Sequence, residues 1–85
     1  MTESPPRVRK RSVTIGRHRT SVSLEAAFWD ELNRIAAADG VSLNALVAEI
    51  DRARMVGRDP RDATNLSSAL RLRVLDDLRR RAGAT

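Results

Sequence analysis

Two short stretches near the start of the chain alternate apolar and polar residues. The apolar positions are odd in the first stretch and even in the second: Val13, Ile15, Val22 and Leu24. A period of two predicts β-structure, because successive side chains of a strand point to opposite faces. We therefore predict a strand over residues 20–24. The change of parity predicts a bulge or a turn near Gly16, and the pattern leaves both open.

Everything after Leu24 has the period of helices or the composition of loops. Three segments repeat apolar residues every three or four positions, each with a side chain that can cap a helix. They are 25–39 behind Ser23, 43–55 behind Ser42, and 65–82 with Asn65 as the cap. Gly40 follows the first segment, where glycine favours a helix C-terminus. Residues 56–64 are predicted to form a loop.

The strand at 20–24 finds no partner later in the chain. An isolated strand is not stable in water, so we predict that it pairs with the same strand of a second chain. The apolar stripes of the helices then pack between the two chains. The residues predicted to form this dimer core are Val22, Leu24, Phe28, Trp29, Leu32, Ile35, Leu46, Val47 and Ile50.

The composition favours an oligomer and excludes several kinds of site. A chain of 85 residues buries a small fraction of its surface and needs a supplement to its core. It has no cysteine and a single histidine, His18, so we expect no disulfide, no metal site and no cofactor. Asp76 and Asp77 lie among arginines as surface charges, and we expect no enzyme. No apolar run could span a membrane and no signal peptide is visible, so we expect a cytoplasmic protein.

The positive charge is concentrated at the start of the chain, where the net charge already reaches +5 at Arg19. Such a block indicates a polyanionic partner, above all nucleic acid, the alternative being a solvated tail. Residues 1–12 are predicted to form a flexible arm that contacts the DNA backbone. The DNA-contacting cations of this region are Arg7, Arg9, Lys10, Arg11 and Arg17. Residues 13–15 belong to the arm, form a hairpin, or add an edge strand.

The order of strand, helix, tight turn and helix resembles the ribbon-helix-helix family of repressors. The resemblance rests on Arg19-Thr20-Ser21-Val22-Ser23-Leu24 in the strand and on Gly40-Val41-Ser42-Leu43-Asn44 at the turn. It implies a mostly α-helical fold with one short strand per chain. Two chains would intertwine, and their strands would form an antiparallel two-stranded ribbon. We assign residues 13–55 to this domain, and the helix at 65–82 is an addition to it.

A two-stranded ribbon fits the DNA major groove, where each base pair presents a distinct set of donors and acceptors. Arg19, Ser21 and Ser23 alternate along the strand, and the family carries base-reading residues at these positions. An arginine can bond bidentately to guanine, and a serine can bond to base edges. The alternative for the two serines is a solvent-exposed strand face, with Ser23 also spent as a helix cap.

The start of the second helix is a predicted phosphate site. Ser42, Leu43 and Asn44 lie where a helix presents free N–H groups and the positive end of its dipole. Contacts of this kind fix the position of a protein on DNA without reading its sequence. In the family this helix start holds the DNA backbone beside the ribbon.

The sequence therefore predicts a homodimer that binds double-stranded DNA at a specific sequence and represses transcription by occlusion. The alternative is an antitoxin-like or accessory interaction protein whose C-terminal helix binds a second protein. Leu72 and Leu75 widen the apolar stripe of that helix beyond what a surface helix needs. This stripe is apolar enough to complete the core or to bind a partner, and the sequence leaves both open.

Overall fold

Two strands precede three helices in the computed structural model, which describes residues 7–56 and 65–83. The elements are β1 (Val8–Ile15), β2 (His18–Glu25), α1 (Ala26–Asp39), α2 (Leu43–Met55) and α3 (Leu66–Gly83). Each helix lies within one residue of its predicted bounds. The first part of the predicted arm and most of the predicted loop at 56–64 lie outside the described residues.

β1 and β2 form one antiparallel hairpin, joined by Gly16 and Arg17. The register places Ile15 opposite His18 on either side of this two-residue turn. Gly16 has a φ of +61° and is followed by a residue with negative φ, the pattern of a type II′ turn with glycine first. The parity change is therefore a turn. Of the three alternatives for residues 13–15, the hairpin is the one observed.

The inference that the strand at 20–24 lacks a partner in its own chain is wrong. Its partner precedes it, because β1 begins at Val8 and includes residues 8–12, which the sequence assigned to the arm. Arg9, Lys10 and Arg11 are all charged, so this part of β1 shows no alternation of apolar and polar residues in the sequence. The cross-strand hydrogen bonds of β2 supply the stability that this polar segment lacks alone. Strand pairing therefore does not by itself require a second chain.

The hairpin is fastened to α1 by two further hydrogen bonds. The indole Nε1 of Trp29 donates to the carbonyl oxygen of Arg9 at 2.9 Å, and the N–H of Ala26 donates to the carbonyl of Arg7 at 2.8 Å. Trp29 is itself buried, so β1 is tied directly to the core.

The ends of the helices follow the predicted signals with one exception. Ser42 accepts a hydrogen bond from the N–H of Ala45 at 3.0 Å, and Asn65 accepts one from Ser68 at 2.9 Å, so both predicted caps are confirmed. Gly40 ends α1 with a φ of +70°. The prediction that Ser23 caps α1 is wrong, because β2 continues past it and α1 begins only at Ala26.

α3 is part of the core. Its inner side buries Leu70 and Val74 completely against the other elements. Polar contacts hold it to the rest of the chain, since Arg71 donates to both carboxylate oxygens of Glu25 at 3.0 and 3.2 Å. The inner side of α3, with Leu70 and Val74, is therefore part of the core. Its outer side is exposed to solvent.

The hydrophobic core closes within one chain. All seven aliphatic residues predicted for the dimer core are buried here, and so is Trp29. The complete buried set is Val13, Val22, Leu24, Trp29, Leu32, Ile35, Ala36, Leu46, Val47, Ile50, Leu70 and Val74. Phe28 is half-buried against this cluster. All predicted core residues except Phe28 are therefore buried without a second copy, and the dimer itself remains a prediction.

Candidate nucleic-acid interface

The two faces of the hairpin have opposite character. Residues directly opposite in an antiparallel pair share a face, so the register sorts the cross-strand pairs. Val13 and Val22 are buried, as is Leu24, and all three point toward the helices. The pairs that alternate with them must therefore point away from the helices.

The outward pairs carry only cations and hydroxyls over three successive positions. We call these six residues the outer face: Lys10 opposite Ser23, Ser12 opposite Ser21, and Thr14 opposite Arg19. Every one of them is exposed. The outer face therefore presents hydrogen-bond donors and acceptors with a net positive charge and no carboxylate.

The structure brings the three predicted base-reading residues together. Arg19, Ser21 and Ser23 occupy alternate positions of β2 and lie on the outer face. Because α1 begins after Glu25, Ser23 is not used as a helix cap and its hydroxyl is exposed.

The β1 half of the outer face was incompletely predicted. Lys10 was assigned to the arm, and Ser12 and Thr14 were given no role. The signal that could have found them is their alternation with Val13 and Ile15, which places them on the opposite side of a strand.

The other predicted arm cations are divided among different places. Arg9 and Arg11 lie on the helix side of β1, where the Arg11 guanidinium lies 5.5 Å from the centre of the Trp29 ring. Arg17 is exposed in the turn, and Arg7 directly precedes β1. Only Lys10 of this group lies on the outer face.

The predicted phosphate site at the start of α2 is separate from the outer face. Ser42 and Asn44 are exposed, while the side chain of Leu43 packs against the core. The opposite end of α2 lies beside the hairpin turn, since Asp51 lines a hollow of about 300 Å³ together with His18. The start of α2 lies away from this hollow, because Leu43 and Asp51, eight positions apart, are separated by about 12 Å along the helix axis.

The hairpin is strongly basic. It holds five cations and a single carboxylate, Glu25. A backbone hydrogen bond of Glu25 and the hydrogen bonds from Arg71 hold the pKa of that carboxyl below its ordinary value. The one negative charge of the hairpin is thus paired with a cation of α3, and it does not offset the field of the outer face.

Other kinds of site find no support in residues 7–56 and 65–83. No group of three or more histidine, aspartate or glutamate side chains there could hold a metal ion. Among the helices described, none has the length and apolarity needed to cross a membrane.

A comparison with protein families gives one match. A family model described as a ribbon-helix-helix domain matches residues 8–78. The matched span begins with β1 and ends within α3, so it includes the hairpin as well as the helices. Neither the search of curated proteins nor the search of solved structures finds a match.

Proposed function

Since this chain belongs to the ribbon-helix-helix family, we propose that it binds double-stranded DNA at a specific sequence, as a homodimer, through the outer face of its hairpin. The observation that carries the proposal is the composition of that face. Its three outward pairs offer hydroxyls and cations alone, and Arg19, Ser21 and Ser23 of β2 are the residues that a ribbon would present to base edges. Such regulatory domains bind DNA rather than transform a substrate, and we assign no catalytic residue.

The residues that contact bases in this proposal all belong to β2. The exposed guanidinium of Arg19 would make a bidentate contact to a guanine, and Ser21 and Ser23 would offer hydroxyls to neighbouring bases. Each good bidentate pair is worth about 1–3 kcal/mol of discrimination against the wrong base. Three reading positions in each of two chains supply the several kcal/mol that a specific site needs over non-specific DNA.

The dimer would form through the free edge of β2. In a hairpin with a two-residue turn the flanking pair is hydrogen-bonded and the pairs then alternate. The backbone N–H and C=O groups of Arg19, Ser21 and Ser23 therefore point away from β1. Within the described residues no hydrogen bond reaches them. A second β2 related by a two-fold axis would satisfy these groups and place an intermolecular ribbon at the centre of a four-stranded sheet.

Backbone contacts would come from the start of α2 and from the arm. The hydroxyl of Ser42 occupies the N–H of Ala45, which leaves the N–H groups of Leu43 and Asn44 for a phosphate oxygen. Arg7 and Arg17 are exposed near opposite ends of the hairpin and can approach further phosphates.

Repression would follow by occlusion of a promoter in the cytoplasm. Occupancy would then be set by protein concentration and by cooperative binding of neighbouring dimers. Footprints that extend over adjacent sites as concentration rises would support this cooperativity, and a footprint confined to one dimer site would contradict it.

The test is selection from a randomised duplex pool followed by sequencing. The wild-type protein is compared with the double variant Arg19→Ala, Ser21→Ala and with Thr20→Val. Thr20 lies between the two altered residues but points to the other side of the strand, so it is the matched control. We expect the wild type and Thr20→Val to enrich the same inverted repeat and the double variant to lose it. DNA binding without enrichment by the wild type would refute sequence-specific repression.

A second candidate function is supported by the outer side of α3. Leu72, Leu75 and Leu78 are 55%, 41% and 43% exposed, and large aliphatic side chains on one helix mark an interaction surface. An antitoxin-like or accessory role predicts that Leu72→Ser with Leu75→Ser abolishes binding to a purified partner protein while leaving DNA affinity unchanged. Truncation of α3 is unsuitable for this purpose, because the same helix supplies Leu70 and Val74 to the core.

A further inference from the structure

Ser12 and Thr14 are exposed hydroxyls on β1 that the proposed readout by β2 does not use. They lie on the outer face together with Lys10, opposite the three base-reading residues of β2. The same DNA that meets β2 must therefore pass close to them.

The dimensions of the sheet and the groove determine what they meet. Neighbouring strands lie about 4.8 Å apart, so in a dimer paired through β2 each β1 runs roughly 7 Å from the two-fold axis. The major groove is about 12 Å wide, and its walls lie roughly 6 Å from its centre line. The central β2 pair fits within the groove, whereas β1 lies above its walls, which are the two rows of phosphates.

We propose that β1 is a phosphate-binding strand, in which Lys10, Ser12 and Thr14 hold the DNA backbone on each side of the central ribbon. The proposal rests on the proposed function and on the pairing of β2 with its copy. The chemistry fits, because lysine and hydroxyl side chains are ordinary phosphate partners that carry no sequence information. β1 would thus set position and affinity, and β2 would set sequence.

β1 differs from a flexible arm in being ordered before DNA arrives. Its backbone pairs with β2 along its length, the carbonyl of Arg9 accepts from the Trp29 indole, and Val13 is buried in the core. A flexible segment loses conformational entropy when it binds. β1 has already lost most of that entropy on folding, so its binding to DNA is opposed less. A fixed row of three phosphate contacts also fixes the depth to which the central ribbon enters the groove.

The test compares two variants with two controls on the operator obtained by selection and on an unrelated duplex, over a range of salt concentrations. One variant combines Ser12→Ala with Thr14→Val, which removes both hydroxyls and keeps the branched shape of Thr14. The other is Lys10→Gln. Thr20→Val is the matched control on the helix side of the hairpin, and Ser21→Ala is the base-reading comparison.

We expect the hydroxyl variant to bind both duplexes about tenfold more weakly or worse, because each dimer loses four hydrogen bonds to phosphates. Its selected sequence should stay that of the wild type. Lys10→Gln should lower the salt slope by about 1.8 for a dimer, at about 0.9 per phosphate contact. Ser21→Ala should instead change the selected sequence, and Thr20→Val should change neither property. Circular dichroism of each variant is the control that it is folded.

Two results would overturn the inference while leaving the proposed function intact. The first is a hydroxyl variant that selects a different sequence, since Ser12 and Thr14 would then read bases and the single hairpin would be the ribbon in the groove. The second is wild-type affinity of the hydroxyl variant for both duplexes. A third result would refute the proposed function and the inference together. In that result neither the wild type nor any variant enriches a particular DNA sequence.

Discussion

The replacement of Leu70 by alanine tests whether α3 belongs to the core. Leu70 is completely buried, and two positions away on the same helix Leu72 is 55% exposed. Truncation of a buried leucine removes its transfer free energy and leaves a cavity, at a cost of about 2–5 kcal/mol. Truncation of the exposed leucine should change stability by less than about 0.5 kcal/mol. The two variants have the same chemistry and the same helical context, so the difference isolates burial.

The expected loss for Leu70→Ala is large relative to the stability of a small domain, which is about 5–15 kcal/mol. With about 4–8 °C per kcal/mol for a domain of this size, Tm should fall by roughly 8–40 °C. Leu72→Ala should keep Tm within a few degrees of the wild type.

Thermal melts followed by far-ultraviolet circular dichroism measure both effects, at one fixed protomer concentration because dimerisation would add its own stabilisation. Urea denaturation of the same samples gives the free energy of unfolding directly. Equal, small shifts for the two variants would show that α3 packs only loosely, and the interaction-protein alternative would then gain the whole helix as its surface.

Three further perturbations test other contacts. Trp29→Phe removes the donor to the Arg9 carbonyl and part of a buried ring, so unfolding in urea should become easier by about 1–3 kcal/mol; an unchanged midpoint would show that the indole does not hold β1. Gly16→Ala should cost about 1–2 kcal/mol from the positive φ alone, because an added Cβ would meet nothing within 4 Å, and Gly16→Asn should cost less; equal melts for both would argue against this turn. The Arg34 hydrogen bond lowers the pKa of Asp77, so its stabilisation is complete above the ordinary pKa of about 4 and is lost as pH falls through the folded value. Melts from pH 6 to pH 2 should therefore show a smaller loss of Tm for Asp77→Asn than for the wild type, and parallel curves would contradict the assignment.

Local signals in the sequence were sufficient for the helices and their ends. A helix repeats its buried side chains every three or four residues, and it starts and stops at residues whose side chains or backbone satisfy its free groups. Ser42, Asn65 and Gly40 act through neighbours within a few positions along the chain, so no distant contact was needed to predict them. Where two local uses competed, as for Ser23 between strand and cap, the length of β2 decided the outcome, and that length depends on its pairing with β1.

The alternation of Arg19, Ser21 and Ser23 could likewise be predicted from the sequence, because it is a property of one strand. That strand predicted half of the outer face and, together with the turn at residues 40–44, carried the resemblance to the family. Which residues complete the face depends on the register between two strands, and a register exists only once both are paired. The cations of β1 do not favour a strand by their own propensity, so the sequence predicted a charged arm in its place.

Tertiary structure alone decided three matters. It paired β2 with a strand that precedes it, it closed the core within one chain, and it divided α3 into a buried side with Leu70 and Val74 and an exposed side with Leu72. Each outcome depends on contacts between residues far apart in the chain, whose free energy is realised only when several elements pack at once. The sequence by itself determined the three helices, the capping residues Ser42, Asn65 and Gly40, and the polar alternation of β2, since those follow from periodicity and from capping groups close by.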